Sequence, residues 1–126
     1  MSDVMYLQPH EAVHVDHDKV GALYAQLGNA SAEDVVCRAM EELALRMSQC
    51  GQLYRTGALD DLRKQARSLV AIADQIGMIA LARVAADVTT CIDRHDQVAL
   101  AATLSRLMRI GEGSLTAVWD LQDITI

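Results

Sequence analysis

Histidines are the first residues in this chain that suggest chemistry. His10, His14 and His17 recur at i, i+4 and i+7, a spacing that on one helix gives three imidazoles a shared face suited to Zn2+ or Ni2+. Asp16 argues against a continuous helix there. An aspartate just ahead of a helical pattern is a good N-cap, because its carboxylate accepts from the first free amides. A helix beginning at that point splits the histidines between a leading segment and a helix. No metal or other cofactor is therefore expected, and these three histidines are the only metal candidates. His95 lies in a turn between two helical patterns. It is either a surrogate phosphoryl acceptor, since neutral imidazole is nucleophilic near neutral pH, or an ordinary exposed turn residue.

Cys37, Cys50 and Cys91 are odd in number, lack CxxC spacing and fall within apolar helical patterns, which reads as reduced core thiols. Asp60-Asp61 and Glu41-Glu42 are adjacent carboxylates, but helix neighbours point about 100° apart, so neither pair can grip one substrate bond. There is no glycine-rich phosphate loop, no GxSxG and no HExxH, and no enzymatic activity is expected.

One further set stands out. Arg63, Arg67, Val70 and Asp74 follow at i, i+4, i+7 and i+11, beside the apolar line that includes Ala66 and Leu69. They form a flanking stripe of their helix. With Ala71 they make a small apolar patch with a positive edge, which is either a solvated flank or a partner-docking face centred on Arg67.

The elements that must position these residues are helical. The chain has 126 residues, 52% hydrophobic and 22% charged, with one proline and no phenylalanine. That composition excludes disorder and favours a single all-α domain. A formal net charge of -6 opposes binding to nucleic acid or to an anionic membrane. With no signal peptide or apolar span, a cytoplasmic protein is expected. Periodicity and punctuation predict a short helix near 17–27, capped by Asp16 or Asp18 and stopped by Gly28, then four long ones near 32–50, 59–76, 78–94 and 97–118. In the first long helix Ser31 caps, Val36, Met40, Leu43, Met47 and Cys50 face inward, and Glu41, Glu42 and Arg46 face solvent. Residues 51–57 read as a polar connection. Leu59, Leu62, Ala66, Leu69, Ala73 and Ile76 form an unbroken seam ending at Gly77, and Leu81, Val84 and Val88 continue on the next helix. The last seam runs Ala101, Leu104, Met108, Gly111, Leu115 and Val118, with Gly111 and Gly113 weakening its middle. Short connections favour an antiparallel up-down-up-down four-helix bundle with the short helix at one end. Residues 1–14 read as a flexible leading segment and 15–126 as the domain. Trp119, Leu121, Ile124 and Ile126 form an apolar tail that either folds back or supplies a homodimer contact.

Residues 62–85, LRKQARSLVAIADQIGMIALARVA, resemble the histidine phosphotransfer (HPt) domains of bacterial multistep phosphorelays. That family's motif begins Ala-His-x-Leu-Lys-Gly, continues through small residues to Leu or Ile followed by Gly, and closes on Leu-Ala. Ala66, Leu69, Ala73, Ile76, Gly77, Leu81 and Ala82 fall on this frame without a gap, and residues 15–28 resemble the family's short opening helix. The resemblance implies the HPt-like bundle over about 15–118, and a receiver domain of a response regulator or a histidine kinase as partner. Arg67 stands where the family carries its phosphoryl-accepting histidine, and Val70 and Ala71 replace the Lys and Gly. Guanidinium stays protonated, with a pKa above about 12, and is no nucleophile; no histidine lies between His17 and His95.

The expected function is therefore that of a non-catalytic HPt-like signalling protein that binds a receiver or kinase without accepting phosphate. Its docking residues would be Arg63, Arg67, Val70, Ala71 and Asp74. The alternative is a self-associating structural bundle using the tail and the 63–74 stripe. Incubation with a phosphorylated receiver or an active kinase should leave no acid-labile phosphate on the chain. Stoichiometric labelling that disappears in His95→Ala would place an acceptor in the turn instead.

Overall fold

The computed structural model describes the backbone of residues 16–125 and the side chains of Asp16 and of residues 18–114. Five helices follow in order: α1 His17–Leu27, α2 Asn29–Thr56, α3 Leu59–Gln75, α4 Ile79–Asp93 and α5 Gln97–Thr125. The described residues contain no β-strand, so the all-α expectation holds. None of their helices is long and apolar enough to cross a membrane. The leading segment 1–14 lies outside the described residues.

Local chemistry explains most helix ends. Asp16 caps α1, its Oδ1 accepting from the Lys19 amide at 3.1 Å. Gly28, at φ 80°, both ends α1 and begins α2: its amide donates to Tyr24 and its carbonyl accepts from Ala32. That dual role corrects the expected start. Ser31 lies inside the first turn of α2 and does not cap it. Asp96 opens α5, its Oδ1 accepting from the Ala99 amide at 3.0 Å.

Two further expectations are corrected. Residues 51–56 are helical, and α2 ends only at Gly57, in the left-handed conformation. A glycine inside a helix costs about 1 kcal/mol relative to alanine, but helix continuation lets Leu53 pack against the core and seats Gly51 beside Met108 of α5. Likewise α5 runs unbroken through Gly111 and Gly113 to Thr125, so residues 119–125 continue the helix instead of forming a tail after it. How the side chains of Trp119, Leu121, Ile124 and Ile126 are disposed lies outside the described residues.

The core forms where α2, α3, α4 and α5 meet. Each packs on the next in sequence, α2 also touches α5, and α1 leans on α2. The inward lines of α2 and α4 are as read: Val36, Met40, Leu43, Met47 and Cys50 are buried, as are Leu81, Val84 and Val88. On α3, Leu62, Ala66, Leu69, Ala73 and the following Ile76 are buried, while Leu59 is half-buried. The α5 seam is rotated from the expected one. Its buried line is Leu100, Leu104, Leu107 and Ile110, whereas Ala101 is exposed and Met108 half-buried. The rotation follows from α5 resting, among the described residues, more extensively on α4 than on α2. At Gly111 the α5 backbone approaches the Met47 side chain so closely that a Cβ would not fit without moving it.

Gly77 joins α3 to α4 and also anchors α1. Its φ is 76°, its carbonyl accepts from the Asp16 amide at 2.6 Å, and a Cβ there would lie 3.0 Å from the Asp16 carbonyl oxygen. Gly77→Ala should therefore cost about 1–2 kcal/mol for the left-handed backbone alone and should also undock α1. The check is a lower denaturation midpoint together with faster amide exchange in α1 than in α4.

Candidate functional site

The flank of α3 is built by a two-sided packing constraint. Because α3 lies between α2 and α4, its buried line takes Leu62, Ala66, Leu69 and Ala73, and residues one position along turn toward the edge shared with α4. Arg67, Ala71 and Asp74 are exposed, while Arg63 and Val70 are half-buried. Val70 packs against the core with its inner side. The four residues expected to form a stripe, with Ala71 beside them, do share one flank.

Their electrostatics differ from residue to residue. Arg63 grips Asp93 at the end of α4 with both arms, Nε to Oδ1 at 2.7 Å and Nη2 to Oδ2 at 3.1 Å. This fork-to-fork geometry is the strongest form of such a pair. The hydrogen bond from Arg63 holds the Asp93 carboxyl below the usual aspartate range, and the charges of Arg63, Arg67 and His95 act in the same direction. At the other end, Asp74 lies 3.8 Å from the Lys19 ammonium of α1. Both ends of the stripe are thus tied to neighbouring helices. Arg67, between them, is exposed and has no ion-pair partner among the described residues. The flank therefore presents one accessible guanidinium over a small apolar patch, with a second cation held rigid beside it.

Sequence reasoning missed Asp93 and Lys19. A signal for the first existed: in an antiparallel hairpin, residues equidistant from the turn lie side by side, and Arg63 and Asp93 are equidistant from Met78. The assignment of Glu42 and Arg46 to a solvated side is also corrected. Both are half-buried. Arg46 bonds Glu42 at 2.7 Å and reaches across to Gln65 of α3 at 2.9 Å, because the α2–α3 hairpin brings that face of α2 against α3.

The remaining candidates do not assemble into a reactive centre. His10 and His14 lie outside the described residues, as does the side chain of His17, which begins α1. Among the described residues no three His, Cys, Asp or Glu side chains are grouped for a metal. His95 is exposed in the α4–α5 turn at φ 55°. Cys50 is fully buried, and burial pushes its thiol up to about 11, only partly offset by Arg46. It is therefore a protonated core residue and not a nucleophile.

No family model, known curated protein or solved structure matches this chain.

The Arg63–Asp93 pair has a testable pH signature. A carboxyl whose folded pKa is depressed stabilises the fold above its unfolded pKa, and that contribution fades as pH falls through the folded value. Asp93→Asn should thus be less stable than the unsubstituted chain near neutral pH, and the difference should shrink toward pH about 3. Urea unfolding of both proteins at the two pH values reads this directly.

Proposed function

We propose that this chain is an HPt-like antiparallel four-helix bundle without phosphotransfer activity. In this reading it binds the receiver domain of a response regulator, or a histidine kinase, through the α3 flank. The observation that carries the proposal is Arg67: an exposed cation without an ion-pair partner among the described residues, on the outer face of α3, at the position where the resemblance expects the acceptor histidine.

The chemistry follows from what that position faces in the proposed complex. A receiver's phosphorylation pocket is a cluster of carboxylates, so the partner surface is acidic. A guanidinium entering it forms charge-assisted hydrogen bonds. Val70 and Ala71 supply a shallow apolar contact next to the cation, and small side chains there let the partner come close. Arg63 is already neutralised by Asp93, so its part is to keep the flank rigid. Binding without a transferable phosphoryl group would occupy the pocket and restrain signal flow through the relay.

Reversing Arg67 sets carboxylate against carboxylates, and like-charge juxtaposition at an interface costs on the order of several kcal/mol. Arg67→Glu should abolish binding to a receiver domain encoded in the same genome, measured by calorimetry, while helicity is retained because an exposed helix position accepts glutamate. Val70→Asp should weaken binding by placing a charge in the apolar part of the patch, and Gln75→Lys should do little. Equal affinity of the original protein and Arg67→Glu would show that this flank is only solvated surface.

A further inference from the structure

The side of the molecule remote from the α3–α4 flank is built differently. Among the described residues α5 rests more on α4 than on α2, and an open groove of about 410 Å³ remains between α2 and α5, floored by Met47, Gly51, Leu104 and Met108 and ending at Tyr54 and Arg55. Large apolar side chains are exposed on the same two helices. Of the five such residues in the described chain, three are on these two helices: Leu45 at 55%, Tyr54 at 37% and Val98 at 84%. Clustered exposure of this kind marks an interaction surface.

Charge along this face is ordered. Seven residues make nearly two helical turns, so Glu41, Ser48 and Arg55 form one row along the outside of α2, and Val98, Ser105 and Glu112 form another along α5. All six are exposed. Gly111 lies against Met47, and Met108 beside Gly51, so Glu112 lies toward the Glu41 end and Val98 toward the Arg55 end. The α2 row is acidic at one end and basic at the other, with Ser48 midway; on the α5 row Ser105 accepts from Arg109 at 3.3 Å. Glu41 and Arg55 make no ion pair with any described residue.

We propose that this face is the interface of a two-fold symmetric dimer, its occupant being a second copy of the chain. A two-fold axis lying in the face and crossing α2 at Ser48, at right angles to the helix, reverses the helix direction. It sets α2 antiparallel to its counterpart, as an isologous contact requires. Positions 41 and 55 are equidistant from 48, so Arg55 meets Glu41 of the partner subunit, and the same pair forms a second time by symmetry. At a rise of about 1.5 Å per residue, the charged ends are about 21 Å apart, a span that fixes register. This interface is separate from the α3 flank and leaves Arg67 open in both copies, so it stands or falls independently of the receiver-binding proposal.

Sedimentation equilibrium of the full chain between about 1 and 500 µM tests the proposal. The expected mass at the upper end is twice that of the 13.7 kDa chain. Arg55→Glu and Glu41→Arg, each alone, should raise the dimer dissociation constant about tenfold or more, because like charges meet twice. An equimolar mixture of the two variants should recover the original affinity, since their heterodimer restores both pairs; misfolding cannot produce that recovery. Arg67→Glu should leave the mass unchanged. A one-chain mass throughout, a two-chain mass indifferent to both reversals, or weakened variants that fail to rescue each other would each overturn the proposal. In the first two cases the face would pass to a helix of another protein or to residues 1–15.

Discussion

Everything else in this structure depends on the narrow buried line of α3. Leu62, Ala66, Leu69 and Ala73 are all completely buried, at spacings of four, three and four residues, and two of the four are alanines. Small side chains at such positions let neighbouring helix backbones approach, so both α2 and α4 can pack against one thin stripe. The leucines supply most of the hydrophobic stabilisation, about 1.5–3 kcal/mol for each fully buried side chain. Because the stripe is narrow, the outer side of α3 is left outside the core, and Arg67 is exposed for that reason.

Turn geometry then converts helix packing into specific polar contacts. Gly57 and Gly77 occupy left-handed backbone, where a helix can stop within one residue and the chain reverses at once. A short reversal fixes register. Arg63 therefore lies opposite Asp93, and Arg46 opposite Gln65, without any attraction between those groups having to select the fold. The Asp16 amide bonded to the Gly77 carbonyl fastens α1 to the same turn and brings Lys19 near Asp74. These exposed or half-exposed pairs contribute modestly to stability. Their larger consequence is to hold the flank of α3 in one electrostatic state, with one cation neutralised and one accessible.

The asymmetry of α5 gives the molecule its second surface. An α5 equally committed to α2 and α4 would have buried Ala101 and Met108 and closed the groove beside Gly51. Resting more on α4 than on α2 among the described residues, it leaves an apolar floor that ends at Tyr54 and Arg55. The proposed docking flank and the proposed dimer face therefore arise from one cause, unequal sharing of helix faces around the core, and they lie on opposite sides.

Local rules made much of this legible in the sequence. The Asp16 cap, the stops at Gly28 and Gly77, the inward lines of α2, α3 and α4 and the outward stripe of Arg67, Ala71 and Asp74 each depend on residues within a turn or two of one another, and the structure agrees with them. What the sequence could not decide required knowing a helix's neighbours. Gly51 reads as a stop until Met108 is beside it and Leu53 has a core to enter, after which packing outweighs the cost of about 1 kcal/mol that glycine imposes. The rotation of α5, which moves Ala101 to the surface and Leu100 inside, depends on whether α4 or α2 takes the larger contact. Glu42 and Arg46 look solvated until α3 brings Gln65 to them, and Arg63 looks free until the hairpin brings Asp93. Periodicity specifies that a helix has an apolar side, but an apolar side about 100° wide leaves its centre free by one residue, and only the competing contacts of the folded chain settle that residue.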